Sequence, residues 1–142
     1  MKRHIPGLHR ESTNGSDQVE GVFLVRVEGA VYRWHPTKPF YLLRFLVLEP
    51  ERHRGHSLSG RIYCTPKTVW RLSWFLRDFG YNTELLGRDE LDEKALLGLQ
   101  GILRVSHTER NGHSFLNFDG FAPAADWEEL APAANREVTN DL

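Results

Sequence analysis

Three early stretches of the chain alternate apolar and polar residues, and one later stretch spaces its apolar residues three and four apart. Alternation sends successive side chains to opposite faces of a strand, whereas the longer spacing gathers them on one side of a helix. The first stretch, Val22 to Trp34, sets Phe23, Val25, Val27 and Val31 on one side and Arg26, Glu28, Tyr32 and Trp34 on the other. Gly29 interrupts it, as at a bulge or bend, and a bulge there reverses the sides beyond it. The loop His35-Pro36-Thr37-Lys38-Pro39 then stops the strand with two prolines. The second strand, Phe40 to Leu48, turns Tyr41, Leu43, Phe45 and Val47 one way and Phe40, Leu42, Arg44, Leu46 and Leu48 the other. Being apolar on both sides, it is expected to be central and covered, or to carry a binding face.

A polar, basic loop from Pro50 to His56 leads to a third strand, about Leu58 to Cys64, with Leu58, Ile62 and Cys64 inward and Ser59, Arg61 and Tyr63 outward. Thr65-Pro66 reads as a helix start, threonine capping free amides and proline fitting the first helical position. Val69, Leu72, Leu76 and Phe79 form the expected buried stripe, and Gly80 closes the helix, which spans about 66–79. Trp70 and Trp74 lie four apart, offset from that stripe, with Arg71 and Arg77 nearby; they are expected to widen it and close one end of the core, the alternative being a partner or DNA surface. After an acidic segment with a short helix over Asp92 to Leu97, a fourth strand runs Leu99 to Thr108. Asn111-Gly112 marks a hairpin into a fifth strand, His113 to about Phe121.

The order is strand, strand, strand, helix, strand, strand. It predicts a mainly β fold, a five-stranded OB-like Greek-key barrel with one helix between strands three and four. Residues 1–20, polar and aperiodic, read as a flexible arm; 21–121 form the OB-like domain; 122–142 read as a mildly acidic tail, with Trp127 anchoring its first turn. A length of 142 residues suits one domain. No apolar run approaches the ~20 residues of a membrane helix, and the start lacks a signal-peptide segment, so a cytoplasmic location fits. The single cysteine, Cys64, excludes an internal disulfide and a cysteine-rich zinc site.

Charge changes the picture. From Val22 to Arg77 ten basic residues face three acidic ones, a balance of +7, while from Asp78 to Leu142 five face thirteen, a balance of −8. A chain of net charge −1 that separates its charge in this way can present a positive surface to a polyanion.

The segments Gly21-Val22-Phe23-Leu24-Val25-Arg26-Val27, Phe40-Tyr41-Leu42-Leu43-Arg44-Phe45, Gly60-Arg61-Ile62-Tyr63, Leu72-Ser73-Trp74-Phe75-Leu76-Arg77-Asp78-Phe79-Gly80 and Leu99-Gln100-Gly101-Ile102-Leu103-Arg104-Val105 resemble a group of small phage and mobile-element proteins suspected to bind single-stranded DNA in replication or recombination. The resemblance covers roughly residues 20–121 and implies an OB-like fold and single-strand binding, but supplies no fixed binding residues. The tail also lacks the strongly acidic, glycine-rich stretch with a terminal aromatic that many bacterial single-strand binding proteins carry.

Single-strand binders combine a positive groove with aromatic platforms for bases. Arg26, Tyr32, Trp34, Phe40, Arg44, Arg61 and Tyr63 offer that mixture on the outward sides of the first three strands, with Arg33 and Lys38 beside them and His35, Arg52 and Arg54 at the border. The expected partner is single-stranded DNA, with RNA and a second copy of the chain left open. The alternative is a protein-interaction or structural module of a mobile element, burying the apolar outer side of strand two as an oligomerisation face. No enzyme activity, cofactor or metal is expected. His53 and His56 lack a third ligand, His107 and His113 flank the hairpin as strand-end residues that can face each other, and Cys64 points inward as a buried thiol. No nucleophile-elbow, zincin, P-loop or dinucleotide fingerprint occurs.

Overall fold

Five strands join in one antiparallel sheet in the computed structural model, which describes residues 20–131. They are β1 (Gly21–Arg33), β2 (Phe40–Glu49), β3 (Ser57–Tyr63), β4 (Gln100–Arg110) and β5 (His113–Pro123), in the spatial order β3-β2-β1-β4-β5. Three helices, α1 (Val69–Asp78), α2 (Thr83–Gly87) and α3 (Glu93–Leu96), lie between β3 and β4. The expected arm and the end of the expected tail fall outside the described residues. Among the described residues no helix is long and apolar enough to cross a membrane.

The core lies on one side of this sheet. Val25, Val27, Leu43, Phe45, Val47, Leu58 and Leu103 are fully buried there, as alternation requires. Phe45 sits at the centre, with the Phe118, Phe75 and Phe79 rings at 5.2, 5.8 and 5.9 Å. Aromatic rings meeting edge to face bring large apolar area together at favourable quadrupole geometry.

β1 does more than its neighbours. Gly21 to Arg26 pair with β4, while Leu24 to Arg33 pair with β2. Within the span paired to β2 the register jumps from Val27↔Phe45 to Gly29↔Arg44, leaving Glu28 as the extra residue of a bulge. The bulge reverses the sides, so Tyr32 falls opposite buried Tyr41 and Val31 and Arg33 move to the outer side, the opposite of strict alternation.

The two edges of the sheet approach each other without a backbone ladder. A Cβ on Gly60 of β3 would lie 2.7 Å from the Phe118 ring of β5, so only glycine permits this contact. Beside it α1 ties both edges down. Thr68 Oγ1 donates to the Tyr63 carbonyl at 3.0 Å, and Arg71 Nη2 donates to the Phe118 carbonyl at 2.9 Å. Free edge groups are satisfied by side chains where no strand can pair with them.

The helix start differs from the expectation. Thr65 Oγ1 lies 2.6 Å from Thr68 Oγ1 instead of an amide, residues 65–68 form turns, and α1 begins at Val69. Val69 is exposed, and the buried face is Leu72, Phe75, Leu76 and Phe79. The packed body also reaches past β5: Ala131 is buried.

Candidate nucleic-acid interface

Across β1, β2 and β3 the outer side is laid out in rows. Arg33, Phe40 and Tyr63 are successive cross-strand partners, followed by Val31, Leu42 and Arg61, then Gly29, Arg44 and Ser59, then Arg26, Leu46 and Ser57. Partners in a row stand about 5 Å apart, so the rows make one continuous surface. Arg26, Arg33, Phe40, Arg44, Arg61 and Tyr63 share it.

Its chemistry concentrates at one end. The Phe40 and Tyr63 rings lie 5.6 Å apart, tilted by 59°, and the Arg61 guanidinium sits 4.5 Å above the centre of Phe40. This cation–π contact places the guanidinium on the ring without using its N–H groups as hydrogen-bond donors. Arg33, directly opposite Phe40, is exposed. Arg44 lies over Gly29, where a Cβ would come 3.5 Å from its Nε, and is exposed as well.

Three expected members stand differently. Arg26 is on the outer side but pairs with Glu28 at 2.8 Å, which offsets its charge. Tyr32 is turned to the core side by the bulge and packs on Tyr41, ring centres 5.2 Å apart. Trp34 lies beyond the end of β1 in the loop to β2, 74% exposed. Lys38 is exposed on the same loop. His35 shapes that loop: its Nδ1 accepts from the Thr37 and Lys38 amides at 3.1 and 3.0 Å. The Cys64 amide donates to the Pro39 carbonyl at 2.8 Å and fastens the loop to the end of β3. Arg54, expected at the border, is spent on the Leu48 carbonyl and the Glu49 carboxylate, both at 3.0 Å.

The surface continues into an open cleft of about 630 Å³ between β3 and the β4–β5 hairpin. Arg61 and Tyr63 line one wall, Arg110, Phe115 and Asn117 the other, with Arg71 of α1 below. Three arginines and two aromatic rings therefore meet where the sheet edges do not pair. Sequence reasoning named Arg71 only as a neighbour of the two tryptophans and missed Arg110 and Phe115. The Asn111-Gly112 turn was the signal for the last two, since alternation from it leaves Phe115 opposite Thr108 on the outer side.

The tryptophans divide. Trp74 is half-buried against Phe121, ring centres 5.4 Å apart, as expected of a residue closing the core. Trp70 is 57% exposed and does not join the core.

His107 is opposite Leu116 and His113 opposite Arg110, so the two histidines do not face each other. Burial pushes the Cys64 thiol up, partly offset by its hydrogen bond to the Tyr41 backbone. Burial pushes the Tyr41 phenol up to about 12, helped by Glu93, whose carboxylate accepts its hydroxyl at 3.5 Å. Among the described residues no three His, Cys, Asp or Glu side chains gather as a metal ion would require. Comparison with protein-family models and with curated proteins finds no match to this chain.

Proposed function

We propose that this protein binds single-stranded nucleic acid, single-stranded DNA foremost, on the outer side of β1–β3 and in the adjoining cleft. The observation that carries the reading is the Phe40–Tyr63 pair with Arg61 laid over it and Arg33 alongside. Bases need aromatic rings, and phosphates need guanidinium groups; the half-buried Phe40 and Tyr63 rings with the exposed Arg33 and Arg61 offer both in two adjacent rows. The strand neighbours support an OB-like Greek-key barrel, in which strand three meets strand five, here through Gly60 and Phe118. In that fold the second and third strands and the loops joining strands one to two and four to five take oligonucleotides; Trp34 and Lys38 lie on the first of these loops, and Arg110 and Phe115 flank the second. A cytoplasmic role accessory to phage or mobile-element replication or recombination agrees with the sequence resemblance.

A second reading has its own observation. Val31 and Leu42 are partners on the same outer side, with Leu46 beyond Arg44, and Val31 is 44% exposed. An apolar strip of this kind can bury against a second copy of the chain.

Titration of the full chain with a ~30-nucleotide single strand and with the matching duplex, followed by tryptophan fluorescence at two salt concentrations, separates the readings. The single strand is expected to bind more tightly, quench the fluorescence and weaken as salt rises. Absence of binding at low salt, with a dimer in sedimentation, overturns the nucleic-acid reading in favour of the apolar one.

A further inference from the structure

Trp70 is an exposed aromatic plane that the packing of the fold does not use. Its ring stacks on Trp74, interplanar angle 15° and centres 6.1 Å apart. Trp74 is in turn immobilised: its Nε1 donates to Asp78 Oδ2 at 2.9 Å, and its edge lies on Gly120, where a Cβ would come 3.4 Å from the ring. Trp70 is therefore backed by a fixed support, and its ordering is already met before any ligand arrives. Asp78, the carboxylate that accepts from Trp74, also lies 3.9 Å from Arg77 Nε.

Arg71 joins this plane to the cleft. Its guanidinium lies 5.6 Å from the Trp70 ring centre, and the same residue forms part of the cleft lining. Arg71 Nη2 is bonded to the Phe118 carbonyl at 2.9 Å, so its guanidinium is held where the cleft lining, with Arg61 and Arg110, adjoins the 57% exposed Trp70.

We propose that Trp70 is a further stacking site for single-stranded nucleic acid, reached by a strand that passes from the outer side of β1–β3 through the cleft over Arg71. This rests on the single-strand reading above and extends its footprint onto the helix. A short strand fills the outer side alone; a longer one gains one more stacked base on Trp70.

Oligothymidylates of about 6 and about 16 nucleotides, bound to the full-length chain and followed by anisotropy, test it. Trp70→Ala is expected to bind the short strand as the unaltered protein does and to lose roughly 5- to 150-fold on the long one, the worth of one stacked base. Trp70→Tyr should recover most of that loss. In the unaltered protein, a long strand ending in 5-iodouracil should crosslink to the peptide holding Trp70, a result that does not depend on any variant folding. Equal affinities of Trp70→Ala and unaltered protein for the long strand, an equal loss on both lengths, or no crosslink at Trp70 overturns the extension while leaving the single-strand reading in place; the tryptophan then belongs to a protein partner. Failure of the unaltered protein to bind either strand overturns both.

Discussion

Gly60 is where a single hydrogen in place of a methyl decides the packing of two strands. Phe118, the ring it faces, is 5% exposed and packs edge-on to Phe45 with ring centres 5.2 Å apart. Gly60→Ala must therefore push the edges apart, and is expected to cost about 1–3 kcal/mol in urea unfolding, as overpacked sites do. His53 shows a different residue-scale effect. Burial holds its imidazole below the ordinary value of 6.5, with Arg52 and His56 adding to the depression, and it packs edge-on to Phe23 at 5.5 Å. Between the folded and unfolded values the unfolded chain binds more protons. Stability therefore falls as pH drops through 6.5 and levels off below the folded value. The melting temperature should decline between about pH 7 and about pH 5.5, and His53→Gln should flatten part of that decline.

At the scale of elements, the legible features were those with a local cause. Alternation in β2 and β3 placed Leu43, Phe45, Leu58 and Ile62 in the core, and all four are buried. Gly29 marked a bulge or a bend in β1, but the glycine does not say which, and the bulge that forms puts Tyr32 on the inner side and Arg33 on the outer. The start of α1 was misplaced because Thr65 has an alternative partner, the Thr68 hydroxyl, that no propensity rule weighs. With the start moved to Val69, the first turn loses its place in the core and Phe75 takes the position that periodicity had given to Val69. The cleft was not legible at all. Its walls, β3 and the β4–β5 hairpin, are far apart in the chain, and their meeting depends on Gly60, Phe118 and the two bonds from α1 rather than on any local pattern. Within the outer face, the row of Phe40 and Tyr63 followed from alternation alone, whereas the position of Arg61 over Phe40 is a rotamer choice that sequence does not specify.

At the scale of the whole molecule, charge and stacking act together on one surface and can be separated by salt. The chain is nearly neutral, so attraction to a polyanion has to come from the local excess of arginine and not from net charge. Arg33 and Arg44 are exposed and, among the described residues, pair with no carboxylate; Arg44 Nη2 approaches the Glu28 carbonyl at 3.5 Å. As phosphate contacts, each releases counterions on binding. Arg33→Gln and Arg44→Gln are expected to weaken every single strand similarly and to lower the slope of log affinity against log salt by about one unit each. Trp34→Ala removes a ring and no charge. It should cost about 1–3 kcal/mol of binding with the slope unchanged. All three side chains are exposed, so melting temperatures should stay within the range of ordinary surface changes. Arg26→Gln provides the internal control. Its guanidinium already pairs with Glu28 at 2.8 Å, so it should change the slope by less than Arg33 or Arg44 does. Equal slopes for all four variants and the unaltered protein would remove phosphate contact from this face. The arginines would then frame the apolar strip of Val31, Leu42 and Leu46, and sedimentation of the same variants should show a dimer that Leu42→Asp dissociates.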